Sequence, residues 1–533
     1  IQRKGILGYS QDVGRVLASF IYSNARQTAG ALHIGDLTEA VNAIPQSQGE
    51  LKDEAVRLAE YIQNPQEEAQ AFRGLLFAQY LGGSIASAMV NMTQPLQVSF
   101  PYLSQFGGAS VAGKELMRAI KGIATGKKDY EPDLARALKH AEEDGTVSPQ
   151  EVHQLMAQAR GAGTLRSGDG TRLGDTLAKG GNAWAKMSLA WGKVFGVAEQ
   201  MNRRSTFIAA YRLATAQKMD DPAGFAKKAV HETQFIYSKA NKMRWGRGAI
   251  GGVAMTFKSY SVSYLELLHR MATQGGPEGK RAAMLAVAVL LVMGGAGGLP
   301  FMKDAEDITD AIAQVMGYNF STKQAKQELL QDLFGEAAGQ FIERGVSGLP
   351  GVPLDVTGRL GMGNLIPGTG LFLQKNSNTR DVMELAGPAG DLAQRVMNAG
   401  GMAVRGNLSG AALELSPKAL RDLAKGADMA DKGMYRDAKG FKVLDTTPVE
   451  AGLKAIGFQP NTVAQVQEAD YLMQRQKDYY NATAQNIRAK WARGLFEKDE
   501  DMVAEAREAI DAWNEKNPDQ RMSPNMPAIW RRV

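Results

Sequence analysis

Cysteine is absent from the 533 residues of this chain, and histidine occurs only five times. Without cysteine there is no disulfide framework, thiolate zinc site, iron–sulfur cluster or cysteine nucleophile. The histidines form no HExxH pair and no two-histidine-plus-carboxylate spacing, and no GxSxG motif marks a serine hydrolase. We therefore expect no catalytic residue, no metal site and no cofactor-binding residue in this chain.

Strand signals are also scarce, and residues 441–444 are the best short candidate, with no obvious pairing partner. Apolar residues recur at helical spacing over residues 186–218 and 463–495, and each stretch predicts one long helix. A charged break at 497–501 and a shorter helix that stops at Asn517-Pro518 complete a C-terminal hairpin. The sequence predicts an all-α fold, an elongated assembly of many helices with glycine- and proline-rich connections and no substantial sheet.

Charge is missing from two long stretches: no charged residue occurs in the 40 residues between Arg73 and Lys114, or in the 21 between Arg281 and Lys303. Residues 282–302 match the roughly 20 residues that cross a bilayer core. The candidate membrane residues there are Leu285, Val287, Val289, Leu290, Leu291 and Val292. The glycines that begin at Gly294 leave an unbroken apolar helix of about 12 residues, which is typical of a buried core helix, and both interpretations stay open.

Glycine is in excess, at 59 of 533 residues, against a usual share of about 7%. The glycine-rich letters at 108–115 and 246–251 approach two phosphate-binding motifs, but neither follows a predicted strand. The segment 140–151 resembles a calcium loop but has His140 where the first carboxylate belongs. We expect these glycines to serve turns, helix contacts or membrane-facing segments.

Basic residues form two clusters, although the net charge is only +6. The first cluster comprises Lys114, Arg118, Lys121, Lys127 and Lys128, and the second comprises Lys239, Lys242, Arg244 and Arg247 beside Trp245. Such clusters can contact the phosphates of DNA or of anionic lipid head groups. The alternative is an ordinary basic surface.

Changes in composition and the positions of glycine- and proline-rich stretches divide the chain into five regions. We expect an N-terminal helical region at 1–113, a helix-turn-helix elbow at 114–180, long helices with the membrane candidate at 181–303, a glycine- and proline-rich linker with short helices at 304–445, and the C-terminal hairpin at 446–533. The chain starts at Ile1 rather than methionine. We therefore expect these residues to be part of a longer polypeptide.

Six phrases, in order along nearly the whole chain, resemble the C-terminal regions of large internal virion proteins of tailed phages, including the ejection proteins of short-tailed phages. They are LGGSIASAMVNMTQP with FPYL (81–103), EQMNR (199–203), FIYSKAN (235–241), GNLIPGT (363–369), IGFQP (456–460) and WN with NP (513–518). Each phrase alone is unspecific. The resemblance rests on all six phrases occurring in the same order as in that family.

The resemblance implies a protein that is packaged in the virion, leaves with the genome and assembles into a DNA-translocating channel across the host periplasm and inner membrane. Its implied partners are other copies of itself in a ring or tube, other ejection proteins, portal and tail proteins, phage double-stranded DNA and the host inner membrane. A purely structural head or tail component stays open. So does a scaffold for an enzyme domain encoded upstream, such as a peptidoglycan-cleaving or polymerase domain.

Overall fold

The structure, a computed structural model, describes residues 13–63, 69–126, 130–148, 172–235, 241–254, 257–366, 388–437 and 440–532. Nearly all regular structure in these residues is helical, so the predicted all-α class is confirmed. The helices of the first half are α1 (Val13–Asn42), α2 (Gly49–Gln63), α3 (Gln70–Tyr80), α4 (Ile85–Asn91), α5 (Phe100–Ala124), α6 (Pro132–Glu143), α7 (Arg172–Ala216), α8 (Pro222–Thr233), α9 (Gly248–Ala254) and α10 (Ser259–Gln274).

The second half continues with α11 (Gly276–Gly294), α12 (Met302–Val315), α13 (Thr322–Phe334), α14 (Glu336–Arg344), α15 (Thr357–Leu360), α16 (Pro388–Val404), α17 (Leu408–Leu415), α18 (Lys418–Lys432), α19 (Pro448–Ala455), α20 (Asn461–Glu497), α21 (Glu500–Lys516) and α22 (Met526–Trp530). Four short strands accompany these helices: β1 (Leu354–Asp355), β2 (Met434–Arg436), β3 (Lys442–Asp445) and β4 (Gln459–Pro460). Their antiparallel pairs are β1 with β4 and β2 with β3. The expected strand near 441–444 thus has a partner, β2, which sequence reasoning missed.

Both long helices are confirmed. Helix α7 begins earlier than predicted, at Arg172, and ends at Ala216, two residues before the predicted end, while α20 spans Asn461–Glu497. Lys498 takes a left-handed backbone (φ 56°) and Asp499 caps α21 by accepting a hydrogen bond from the Met502 N–H at 3.0 Å. The predicted break and hairpin therefore follow from this local chemistry, and the core of the hairpin includes Trp491 and Trp513.

The chain divides into two compact units, residues 1–84 with 111–264 and residues 85–110 with 265–533. In the first unit, α7 packs against α6 and α8 and buries Phe207, Ile208 and Leu213 completely. A buried ion pair accompanies this core, since the Arg203 guanidinium donates to the Glu199 carboxylate at 3.0 and 3.1 Å. Helix α7 therefore contributes more buried apolar residues to this contact than α6 or α8 does.

The uncharged run 282–302 does not form one helix. Helix α11 ends at Gly294, a 3₁₀ turn follows at Ala296–Gly298, and α12 begins at Met302. The interpretation of a single apolar segment across all 21 residues is therefore corrected: Gly295 has a positive φ of 69° that interrupts the helix. Within the described ranges, no helix combines the length and apolar character that a membrane crossing requires.

Candidate functional site

Glycines in the second unit let three backbone segments touch, and we call this contact the glycine junction (Gly295, Gly298, Gly345 and Gly361). A Cβ atom on Gly295 would lie 2.3 Å from the Glu343 carbonyl oxygen, and one on Gly345 would lie 2.6 Å from the Gly295 nitrogen. A Cβ on Gly361 would lie 2.4 Å from the Gly298 Cα. A side chain at Gly295, Gly345 or Gly361 would push backbones apart, so these three positions require glycine.

Main-chain hydrogen bonds hold the junction together. The Met362 N–H donates to the Gly298 carbonyl at 2.8 Å, and the Phe301 N–H donates to the Met362 carbonyl at 3.2 Å. Buried Asp304 accepts from the Leu365 N–H at 2.8 Å, at the first turn of α12. The start of α12 is therefore fixed to the segment that follows α15.

Beside the junction lies a set of buried charges that we call the ionic network. It comprises Glu306, Asp307 and Asp310 of α12, Lys323 and Lys326 of α13, Glu343 and Arg344 of α14, Asp355 of β1, and Glu468 and Arg475 of α20. None of these side chains is more than 24% exposed. Four helices thus meet through opposite charges rather than through apolar contacts alone.

Arg475 and Lys326 are the two cations that join α12 to its neighbours. Arg475 pairs with Asp307 at 3.4 Å and with Asp310, and Asp310 also accepts from the Thr322 N–H at 2.7 Å. Lys326 pairs with Glu306 and lies 2.9 Å from Glu343. Each cation therefore bridges two carboxylates, which satisfies several buried charges at once.

Arg344 and Lys323 extend the network to the start of α20. Arg344 pairs with Asp355 at 3.0 Å and donates to the Asn461 side-chain oxygen at 3.0 Å, across 117 positions of the chain. Lys323 pairs with Glu468. The first turns of α20 are therefore held by α13 and α14 through side chains that are distant along the chain.

Burial shifts the ionisation of several network groups. It raises the pKa of Asp307 to about 6, with Arg475 acting in the opposite direction, and it also raises the pKa of Glu343. Burial lowers the pKa of Lys323 to about 8, and the nearby Lys303 charge adds to this effect. Burial disfavours the charged form of Lys326, but attraction to Glu343 and Glu306 outweighs it, so the pKa of Lys326 is raised.

Shifted pKa values occur both in catalytic sites and in structural ion-pair networks. Here the acidic groups are matched by lysine or arginine, and in the described part of the chain no cluster of histidine and carboxylate side chains has metal-binding geometry. The arrangement joins helices. It presents no nucleophile paired with a general base.

The first basic cluster has three members in the described residues, all exposed on α5, while Lys127 and Lys128 lie outside the described residues. Lys114, Arg118 and Lys121 are spaced by four and three residues and therefore share one face. Arg118 also lies 3.7 Å from Glu115 and 3.9 Å from Glu131. The cluster is thus a short exposed basic stripe, partly neutralised at its centre.

The second basic cluster folds against α2 of the same unit. Arg247 donates to the Glu54 carboxylate at 3.2 Å and lies over the Tyr61 ring, while exposed Arg244 lies 3.8 Å from Glu54. Lys242 contributes its carbonyl oxygen, which accepts from Arg247 at 3.3 Å. Lys239 lies outside the described residues. Arg247 therefore has an internal structural role.

The six membrane candidates divide between two sides of α11. Leu290 is fully buried, along with Ala282 and Ala286. Val287, Leu291 and Val292 are exposed, and Leu285 and Val289 are half-buried. With Met284, the exposed residues give α11 an outer face that is uncharged from Met284 to Val292, and exposed Lys280 and Arg281 lie one turn before it.

Sequence reasoning missed the glycine junction and the ionic network. The regular spacing of acidic residues along α12 is a pattern more typical of a solvated face, and the glycines of 344–370 are typical of a linker. No family model, curated protein or solved structure matches this chain. Structural evidence on function therefore comes from the contacts and exposed surfaces of the described residues.

Proposed function

We propose that this chain is part of a phage internal virion protein of the ejection class. It is carried inside the capsid or tail, released with the genome, and assembles with its own copies and other ejection proteins, beside portal and tail proteins. The assembly forms a conduit for double-stranded DNA through the periplasm and inner membrane of the host. The described residues supply assembly and contact surfaces rather than catalysis.

Described residues of three of the ordered phrases make hydrogen bonds between segments that are distant along the chain, and this observation carries the proposal. Asn202 and Arg203 of EQMNR are buried, and Arg203 donates to the Thr146 carbonyl at 3.4 Å across 57 positions. The Gly363 carbonyl of GNLIPGT accepts from the Lys303 N–H at 3.0 Å, and Asn517 accepts from the Asn319 N–H at 2.7 Å. These three phrases therefore include residues that position helices, as expected for an assembly protein.

Two exposed faces supply the contacts that a conduit needs. The outer face of α11 is uncharged and apolar from Met284 to Val292, and it offers a surface to lipid once copies associate. The basic stripe on α5 offers charge to phosphates. A lipid contact through one face of α11 requires no helix that crosses the bilayer.

For lipid contact, we expect Met284→Asp with Val287→Asp to lower binding to vesicles of phosphatidylglycerol and phosphatidylethanolamine at least about tenfold, because an aspartate costs roughly 2.5–3.5 kcal/mol in a membrane interior. Flotation measures the bound fraction. These side chains point away from the buried face, so the fold is retained. Deleting 282–302 is unsuitable, because it removes Gly295 and Gly298 of the junction.

The matched control is Met397→Asp with Val404→Asp, which places the same charges on exposed apolar positions of α16. We expect this control to float with the vesicles to the same extent as the unmodified protein. If all three proteins remain equally in the bottom fraction, the lipid part of the proposal is wrong, and a structural internal component is favoured instead.

For DNA contact, we expect Lys114→Ala with Lys121→Ala to weaken binding to duplex DNA. The binding constant should also depend less on salt. The slope of log K against log salt becomes less steep by about 1.8, because two phosphate contacts are lost and each releases about 0.9 counterions. Fluorescence anisotropy at several salt concentrations measures both. Lys477→Ala with Lys490→Ala removes equal charge from α20 and leaves the slope nearly unchanged. Identical slopes for the two double variants would exclude α5 as the contact.

A further inference from the structure

Helices α18 and α19 approach each other so closely that their backbones touch. A Cβ atom on Gly426 of α18 would lie 2.5 Å from the Ala455 nitrogen at the end of α19. This contact places the last turn of α19 against α18, and the Lys454 ammonium there lies 3.1 Å from the Asp422 carboxylate, one turn before Gly426. Lys418, in the first turn of α18, pairs with the same carboxylate. One buried aspartate thus holds two lysines.

A third cation, Arg359 of α15, lies near these two lysines. Its guanidinium donates to the Gly457 carbonyl, just after α19, and lies 5.7 Å from the centre of the Phe458 ring. These two contacts fix the guanidinium beside the last turn of α19. We call this group the three-cation cluster, which comprises Arg359, Lys418 and Lys454 around Asp422.

The positive charge of the three-cation cluster exceeds its negative charge. Three cations surround one carboxylate, so the formal net charge is +2. Asp355, the other carboxylate that acts on Arg359, already pairs with Arg344 at 3.0 Å. The helix dipoles change this little, because the positive end of α18 at Lys418 offsets the negative end of α19 near Gly457. The excess therefore belongs to the side chains themselves.

Much of this excess charge is withdrawn from water. The side chains of Asp422, Lys454 and Lys418 are 9%, 13% and 32% exposed. Burial lowers the pKa of Lys418, although attraction to Asp422 opposes this, and the two neighbouring cations add to the effect of burial. Burial also lowers the pKa of Arg359, despite the attraction of Asp422 and Asp355. Unmatched buried charge costs free energy, and a bound anion offsets that cost.

We infer that the three-cation cluster binds a small phosphate dianion, either inorganic phosphate or a phosphomonoester. Such a group carries roughly −1.5 to −2 charges at neutral pH, which matches the excess, whereas each phosphodiester of DNA carries a single negative charge. Guanidinium and ammonium groups are the usual donors to phosphate oxygens in proteins. Within the described residues, Arg359 and Lys418 each donate one hydrogen bond, so both keep donors for a ligand.

Isothermal titration calorimetry of the full chain with inorganic phosphate, at pH 7.5 and constant ionic strength, tests the site. We expect a dissociation constant of about 1 mM for the unmodified protein and binding at least about tenfold weaker for Lys418→Gln. Lys432→Gln is the matched control. Lys432 lies on the same helix, pairs with Asp428 at the same spacing and is 34% exposed, but it lies at the other end of α18. We expect this control to bind phosphate as the unmodified protein does.

Asp422→Asn distinguishes a ligand site from an ordinary cluster of ion pairs. Without the carboxylate, the three cations lose their internal counterion, and phosphate no longer competes with Asp422 for them. We expect this variant to bind phosphate at least about threefold more tightly, and phosphate to raise its melting temperature more than that of the unmodified chain. A purely structural cluster would lose stability without this rescue. Circular dichroism in phosphate confirms that the helix content is kept.

Two further ligands define the chemistry of the anion. Dimethyl phosphate, a singly charged diester, binds at least about tenfold more weakly than inorganic phosphate because its charge does not match the excess. Glycerol phosphate distinguishes the two sources: tighter binding than inorganic phosphate assigns the site to a phosphomonoester, and weaker or equal binding assigns it to free phosphate.

The inference is overturned if inorganic phosphate does not bind the unmodified chain, or if Lys418→Gln binds it equally well. Binding by Asp422→Asn that is no tighter than that of the unmodified chain also overturns it, as does equal affinity for dimethyl phosphate. The inference does not depend on the proposed function, because DNA contact is assigned to α5 and lipid contact to α11. A chain that binds DNA and vesicles but no phosphate contradicts this inference alone.

Discussion

We expect Gly295→Ala to lower the free energy of unfolding of the second unit by about 3–5 kcal/mol. The new methyl group would lie 2.3 Å from the Glu343 carbonyl oxygen and 2.4 Å from the Arg344 nitrogen, both of which are backbone atoms. The positive φ of 69° adds conformational strain. Urea unfolding, together with hydrogen exchange of the amides in α14, measures the loss.

Two other glycines separate the steric cost from the conformational cost. Gly335 has a similar backbone (φ 80°), but a Cβ atom there would have open space around it, so Gly335→Ala lowers stability by only about 1–2 kcal/mol. Gly400 lies inside α16 with open space around it, and Gly400→Ala raises stability by about 0.5–1 kcal/mol. Equal losses for Gly295→Ala and Gly335→Ala would mean that the close backbone contact contributes nothing.

The second large effect is expected at Arg475, where Arg475→Met lowers the free energy of unfolding by about 3–5 kcal/mol at pH 7.5. The substitution keeps much of the side-chain volume but leaves Asp307 and Asp310 without their cation. Since burial already raises the pKa of Asp307 to about 6 and removal of Arg475 raises it further, Asp307 becomes protonated as the pH falls, which removes its unpaired charge and makes the loss smaller. Urea unfolding at several pH values provides the measurement, and a loss that is independent of pH would contradict the electrostatic explanation.

Asp307→Asn is the companion variant, and we expect it to raise the free energy of unfolding rather than lower it. The pKa of Asp307 is raised from 3.8 to about 6 in the folded chain, so the ionised carboxylate opposes folding above pH 6, and this cost declines as the pH falls from about 6 to below 3.8. Asparagine removes the cost and still accepts a hydrogen bond from Arg475. We expect a gain on the order of 1 kcal/mol at pH 7.5, a smaller gain at pH 4.5 and none at about pH 3; a loss at pH 7.5 would show that the ion pair outweighs burial.

The helices of this chain are predictable because their signals are local. Helical periodicity predicts α7 and α20, and the stop at Asn517-Pro518 is observed where α21 ends at Lys516. The end of α11 at Gly294 also follows from the sequence, since the first glycine of the run interrupts an apolar helix. Each of these features depends on residues within a few turns of one another.

The partners of the glycines are not predictable in the same way. The sequence makes 344–370 look like a connection, yet Gly345 contacts the backbone at Gly295 and Gly361 contacts Gly298. These pairs are 50 or more positions apart along the chain. A glycine is equally compatible with a loose loop and with a close backbone contact, and only the folded chain distinguishes the two.

The orientation of α12 is the clearest case in which local pattern and tertiary structure disagree. Its acidic residues would be assigned to solvent from the sequence, and Ile308 and Ile312 to the core. The structure reverses both assignments, because Arg475 of α20 and Lys326 of α13 meet the carboxylates inside. A helical period identifies two faces but does not state which one is buried.

The sequence by itself determined the all-α class, the long helices, the C-terminal hairpin and the absence of cysteine chemistry, because these depend on composition and on neighbours along the chain. Tertiary structure alone decided that the glycines form a junction, that ten charged residues of the ionic network pair with one another across four helices and β1, and that α12 exposes apolar residues. The physical reason is that burial and ion pairing are set by distant segments, whose meeting is not encoded in local periodicity.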